Sequence, residues 1–250
     1  MTSLLGRARN ALRKGGLSYV IREAIPHLHK HYLRDHLPRT KTKLNGVIVK
    51  RNRIFDGLVP WEVNRPDPEN YESAIVSRLK SGVTTGDTVV IVGGGWGVST
   101  VVAAQAVGES GSVHTFEASP EYAEYTRETV RLNDVANRCT VTTAVVAKAV
   151  STQGDAESEV VLSPAELPDC EVLELDCEGA EIEILQELQS QPRVIIVETH
   201  GVFGAPTEAV AEALESMSYE IVSTEIADRG LAEMHEAQDV RVLTARDETQ

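Results

Sequence analysis

The sequence predicts an α/β protein: a seven-stranded, mostly parallel sheet with one antiparallel strand, preceded by a basic helical arm. Three observations carry this. From residue 68 onward, short apolar runs alternate with stretches of helical periodicity, the pattern of strand–helix–strand units. The runs TVVIV, CEVLELD and RVIIVETH are almost continuously apolar, as strands covered on both faces are. The last two runs, YEIVSTE and DVRVLTA, are separated only by a polar stretch over residues 225–238 that reads as a loop, so one of them turns back antiparallel.

The elements follow in order. Leu4, Leu5, Ala8, Ala11 and Leu12 recur at helical spacing, as do Val20, Ile21, Ala24, Ile25 and Leu28, with basic residues on the other faces. HLHKHYLRDH then places four of the seven histidines within ten residues; without a matching carboxylate or cysteine pattern they read as surface rather than metal ligands. A short strand pair is expected at residues 46–50 and 53–58, and Pro60, Pro66 and Pro68 mark an irregular linker. Tyr71, Ile75 and Leu79 form a helix face. TVVIV is the first sheet strand, GGGWG a loop and VSTVVAAQAVG a helix. SVHTFEA is the second strand, after which Ser119, Pro120 and Glu121 open a helix as N-cap, first helical position and favourable charge. CTVTTAVV is the third strand, and residues 148–168 read as loop. CEVLELD and RVIIVETH are the fourth and fifth strands, with a helix between them. Ala209, Val210, Ala213, Leu214 and Met217 form a helical stripe. Two domains are expected: an arm over residues 1–45 and an α/β domain over residues 46–250.

Composition narrows the function. Apolar residues make up 42% of the 250, enough for a core, but aromatics only 4%, so the core is aliphatic. Net charge is −14, yet residues 1–53 hold 13 Lys and Arg against Glu23 and Asp35. The acidic, lysine-poor remainder is similar in composition to proteins of salt-loving archaea and argues against nucleic acid as a partner. The basic arm, residues 1–43, suits peripheral contact with an anionic membrane surface or a partner. Cys139, Cys170 and Cys177 make no C-x-x-C pair, there is no secretory signal, and no run of about 18 apolar residues occurs. The expectation is a cytoplasmic protein, held at most at the inner membrane surface.

Ligands of such sheets bind at the carboxyl ends of the strands. Three features fall there. The loop VGGGWG lets backbone approach a ligand at Gly93, Gly95 and Gly97, in a G-x-G-x-G spacing rather than G-x-G-x-x-G, because Val98 stands where the third glycine would be. Glu117 ends the second strand, where a carboxylate can accept the ribose hydroxyls of an adenosine cofactor. Glu198 and His200 alternate at the end of the fifth strand beside Asp176, an arrangement fit for a general base or a divalent cation. In LELDCEGAEIEIL, Glu178 lies where the fourth strand runs out, and phasing the helix on Ile184, Leu185 and Leu188 turns Glu181 toward the sheet. Both are candidates to contact substrate or orient its neighbours. Glu174 shares the face of Asp176 but lies deeper, where a charge needs a partner that the sequence does not reveal.

GDTVVIVGGGWGVSTVVAA, VHTFEASPE, LNDV, LELDCEGAEIEIL and VIIVETH, in this order, resemble the FkbM family of S-adenosylmethionine (SAM)-dependent methyltransferases over residues 71–199. The D-x-E-G-x-E block is the most specific part. The resemblance implies the class I methyltransferase (Rossmann-like) fold, SAM as cofactor and O-methylation of a hydroxyl or carboxyl on a sugar, glycan or similar small molecule. It places Gly93, Gly95 and Gly97 around the methionine part, Glu117 at the ribose and Ala144 against the adenine. His200 is then the candidate base, oriented by Glu198 or Asp176, with a metal at Asp176, Glu198 and His200 as the variant mechanism. Two positions depart from the family pattern: Ile91 replaces an acid, and Glu174 stands where lysine is frequent. Two other functions also fit the motifs. One is an NAD(P)-dependent sugar oxidoreductase, although no Tyr-x-x-x-Lys pair is present; the other is a non-catalytic, membrane-associated SAM-binding protein.

Overall fold

The computed structural model describes residues 29, 33–54, 56, 70–147 and 160–248. The expected arm helices, over residues 4–12 and 20–28, lie outside them. The chain divides into two compact units, one of residues 1–42 and 50–65, the other of residues 43–49 and 66–250. In the smaller unit Arg34 holds the buried Asp56 through two side-chain bonds of 3.2 and 3.0 Å. Of the clustered histidines, His36 is exposed and His29 buried.

The expected strand pair is displaced toward the N-terminus. β1 is Arg39–Leu44 and β2 is Val47–Arg53, and together they form a two-stranded sheet. Asn45 and Gly46 turn the chain with φ of 46° and 87°. Asn-Gly is the dipeptide that a two-residue hairpin with two positive φ angles demands, so the register was legible in the sequence.

The larger unit is the alternating α/β body. α1 (Ser73–Gly82), β3 (Thr88–Val92), α2 (Val98–Val107), β4 (Ser112–Glu117), α3 (Pro120–Leu132) and β5 (Cys139–Thr143) come first. β6 (Val145–Val146), the end of the expected third strand, then pairs in parallel with β7 (Val161–Leu162), which lies inside the region read as loop. β8 (Val172–Leu175), α4 (Glu181–Glu187), β9 (Val194–Glu198), α5 (Thr207–Ser216), β10 (Tyr219–Ile226), α6 (Ala232–Gln238) and β11 (Arg241–Asp247) complete it. The main sheet has seven strands in the order β10-β11-β9-β8-β3-β4-β5, with β11 antiparallel to both neighbours and the other pairs parallel. The polar stretch before β11 is not all loop: it folds into α6, seven residues long. Among the described residues no helix is long and apolar enough to cross a membrane.

Strand alternation sorts the core. Val89, Ile91, Val172 and Ile196 pack with residues of α1 and α2 on one face; Val90, Leu173, Leu175 and Ile195 pack with residues of α4 and α5 on the other. Each such side chain, fully buried, stabilises by roughly 1.5–3 kcal/mol. The helix after β4 starts as the sequence indicates: the Ser119 hydroxyl accepts the N–H of Tyr122, and Pro120 opens the first turn.

Gly93 is set by the sheet itself. It has φ of 107°, and a Cβ there would lie 1.9 Å from the carbonyl oxygen of Asp176 on the neighbouring strand end. Gly93→Ala therefore drives β3 and β8 apart at their carboxyl ends. The expected outcome is a destabilisation of at least about 2 kcal/mol in chemical denaturation. Gly95→Ala, whose added Cβ meets nothing within 4 Å, should cost clearly less. Equal stability of the two variants would contradict this account of the loop.

Candidate functional site

The carboxyl ends of β3, β4, β8 and β9 open into a cavity of about 250 Å³. Its two halves follow the strand order. The half over β3 to β5 is lined by Gly93, Gly95, Trp96, Glu117, Ala118, Tyr122 and Ala144 to Val146. The half over β8 to β10 is lined by Tyr71, Glu72, Asp176, Cys177, Glu178, Glu198, His200, Asp228 and His235, among others.

In the first half Glu117 holds the glycine loop. One of its oxygens accepts the N–H of Gly94 at 2.8 Å and of Gly95 at 2.9 Å, and the other accepts the N–H of Ser119 at 2.8 Å. One carboxylate thus joins the end of β4 to the loop after β3 and to the cap of α3. A carboxylate offers about four lone-pair sites, so three N–H groups leave room for a further donor from the cavity. The glycines divide their tasks. Gly97 passes α3, where a Cβ would meet Thr126 Cα at 3.0 Å, and Gly94 passes the Thr126 hydroxyl at 2.8 Å. Only at Gly95 does the loop face open space. Trp96 lies flat on Tyr125, with centroids 4.8 Å apart and planes 3° apart, and meets Tyr122 edge-on. Ala144 is buried and its N–H bonds the carbonyl of Glu117 at 3.0 Å.

The second half gathers the acids of LELDCEGAEIEIL. The turn after β8 passes through Glu178 with φ of 52° and Gly179 with φ of 114°. It swings Glu181 under the sheet edge, where it is fully buried. One Glu181 oxygen accepts the N–H of Gly179 at 2.8 Å and the other the Nδ1–H of His200 at 2.7 Å. Sequence reading turned Glu181 toward the sheet; the structure adds that it, rather than Glu198 or Asp176, holds Nδ1. His200 Nε2 then faces Asp176 at 3.4 Å and Glu198 at 3.8 Å. The backbone of His200 is fixed by a pair of hydrogen bonds with Ala205.

The electrostatics follow from burial among like charges. Burial lowers the basicity of His200, but its bond to Glu181 and the charges of Asp176, Glu181 and Glu178 outweigh this and hold its pKa above the ordinary value. Burial pushes Asp176 up, opposed by His200 and reinforced by Glu181 and Glu117. Glu198 is pushed well above the usual carboxylate range by burial and then by Asp176, Glu72, Glu174 and Glu181. Donor atoms of Asp176, Glu198 and His200 lie within 4.8 Å of one another, close enough to share one cation.

Glu174 lies beneath this cluster, in register between Ile91 of β3 and Ile196 of β9. It is 1% exposed and neither carboxyl oxygen has a hydrogen-bond partner. Burial first, then Asp176 and Glu72, raise its pKa well above the usual range.

Sequence reading missed Tyr71, Glu72, Tyr122, Asp228 and His235 as cavity residues. Trp96 stood in the quoted loop without an assigned role. Only Tyr122, three residues after the predicted N-cap, had a local signal that could have placed it at the cavity edge.

The sequence profile of the methyltransferase FkbM domain matches residues 66–221. Comparison with curated proteins gives no significant match. Among solved structures, a SAM-dependent methyltransferase from Aquifex aeolicus is 17% identical, with a TM-score of 0.46 over 72% of this chain and 93% of that one. A SAM-dependent O-methyltransferase from Thermotoga maritima is 16% identical, with a TM-score of 0.48 over 84% of this chain and 78% of that one. The protein in the complex of aTrm5 and tRNALeu is 13% identical, with a TM-score of 0.52 over 85% of this chain and 54% of that one. At these identities the likeness is one of fold.

Replacing Glu174 by Leu removes two unpartnered oxygens from an apolar setting. Glu174→Leu should raise stability by about 1–3 kcal/mol, read from the denaturation midpoint. A lower midpoint would mean that the buried carboxyl contributes to holding the fold.

Proposed function

The chain belongs to the FkbM methyltransferase family and is a SAM-dependent methyltransferase of class I fold, and from that premise we propose O-methylation of a hydroxyl on a sugar, glycan or similar small molecule, with His200 as general base. The observation that carries the proposal is the union in one cavity of a Glu117-held glycine loop and a Glu181-held imidazole. Family membership displaces the nicotinamide reading.

The β3–β5 half fits SAM. Gly95 exposes its backbone to the cavity, Glu117 keeps acceptor capacity for the ribose hydroxyls, and Ala144 gives a small apolar wall for the adenine. SAM supplies a methyl group on a sulfonium sulfur; the acceptor oxygen forms the new C–O bond, the S–C pair returns to sulfur and the oxygen's proton leaves. The chain's own residues align the partners and take that proton. Glu181 fixes the ring of His200 so that Nε2, not Nδ1, meets the acceptor. The bond to Glu181 and the charge of Asp176 beside Nε2 favour the imidazolium once it forms. Glu178 lies at the rim, where its carboxylate can accept from acceptor hydroxyls. Six carboxylates line the cavity, those of Glu72, Glu117, Asp176, Glu178, Glu198 and Asp228, and among the described residues no Lys or Arg does. Such a lining favours neutral, hydroxyl-rich acceptors and disfavours nucleic acid, whose phosphates need cations.

A second reading rests on the 4.8 Å convergence of Asp176, Glu198 and His200. There Asp176, Glu198 and His200 would hold a divalent cation, which would supply Lewis-acid activation of the acceptor, and Glu181 would be the outer carboxylate that orients a histidine ligand.

His200→Ala should lower turnover at least about 100-fold while SAM affinity by calorimetry stays within about threefold. Unchanged turnover would reject the base. Glu117→Ala should weaken SAM binding at least about tenfold, since it removes both the ribose acceptor and the loop anchor. Dialysis against a chelator should leave turnover intact. A loss restored by Mg²⁺ would move the assignment to the cation reading.

A further inference from the structure

The segment before β11 carries a second histidine into the cavity. His235 sits on α6, is buried, and lines the β8–β10 half. Its Nδ1 lies 3.1 Å from the backbone nitrogen of Asp228. A backbone N–H can only donate, so Nδ1 must be the unprotonated nitrogen. The neutral ring then carries its hydrogen on Nε2, for which the described residues provide no hydrogen-bond partner.

The ring's surroundings hold this polarity. The Asp228 carboxylate accepts the N–H of Gly230 at 2.7 Å and so fixes the turn that presents its own N–H to His235. The carbonyl of His235 accepts the N–H of Val240 at 2.9 Å, which pins the end of α6. Burial, opposed by Asp228, lowers the pKa of His235, in keeping with the neutral ring that its bond to the Asp228 N–H requires. His200 has the reverse polarity: its Nδ1 is committed to Glu181 and its Nε2 is turned to Asp176 and Glu198 at the cavity.

We propose that His235 positions the methyl acceptor, its Nε2–H donating a hydrogen bond to the acceptor oxygen while His200 Nε2 takes that oxygen's proton. The inference rests on the methyltransferase reading of the same cavity. It assigns a substrate class: a neutral hydroxyl has both the lone pair that His235 needs and the hydrogen that His200 needs. An ammonium group has no lone pair to offer. A phosphate or carboxylate would face Glu72, Glu178, Glu198 and Asp228, with no Lys or Arg among the described lining residues. As the oxygen loses its proton, a fixed N–H donor also stabilises the charge that develops on it.

The test uses the full chain, labelled with ¹⁵N at histidine and saturated with S-adenosylhomocysteine. Long-range ¹H–¹⁵N correlation near pH 7 should show His235 as the neutral Nε2–H tautomer, assigned through its loss in His235→Gln. Titration with methyl α-D-glucopyranoside should move the His235 Nε2 resonance, and glucose 1-phosphate should not. His235→Gln keeps an N–H at the same reach and should retain glycoside affinity within about threefold, whereas His235→Leu should lose at least about tenfold. An Nδ1–H or imidazolium ring, an unmoved Nε2, or equal affinity of the Gln and Leu variants would overturn the proposal. Failure of the unsubstituted chain to bind S-adenosylhomocysteine would instead overturn the proposed function, so the two failures are distinct.

Discussion

The hydrogen bond between Glu181 and His200 is the constraint on which the rest of the site depends. It joins the first turn of α4 to the end of β9 at 2.7 Å, and both partners are buried. A buried carboxylate is costly unless bonded, and Glu181 meets that cost with two donors, the His200 ring and the Gly179 N–H. Removing either partner would leave a buried polar group unmatched. The bond also sets the ring's polarity, because committing Nδ1 to Glu181 leaves Nε2 as the nitrogen turned to Asp176 and Glu198.

Glu117 plays the matching part on the other side. Its three backbone N–H bonds hold the glycine loop against the end of β4. The two carboxylates thus brace one sheet edge, one fixing the glycine loop and the other fixing an imidazole. Between them lie acids whose pKa values are raised by burial and then by mutual repulsion, with Glu174 at the bottom.

Much of this was legible in the sequence, for identifiable reasons. The main-sheet strands stood out because burial on both faces forces continuous apolar runs, and Ser119-Pro120 announced α3 by local chemistry alone. The placement of Glu117, Asp176, Glu198 and His200 at one edge follows from strand order. What failed lacked a local signal or had one that was overlooked. Ala232–Gln238 is short and polar, so its helicity comes from tertiary placement, and with it His235 was lost. Val161–Leu162 is too short to show a period. The hairpin register was encoded in Asn45-Gly46 but read against the apolar run instead. The partner of Glu181 lies 19 residues away in the chain and emerges only when α4 folds under β9.

The proposed function places the cofactor over β3–β5 and the proton acceptor over β8–β9 of one cavity. A crystal structure with S-adenosylhomocysteine tests this most directly. The account predicts the ribose over Glu117, the adenine beside Ala144 and the sulfur directed across the cavity toward His200. A nucleoside lying instead against Asp176, Glu198 and His200, with the glycine loop uncontacted, would contradict it.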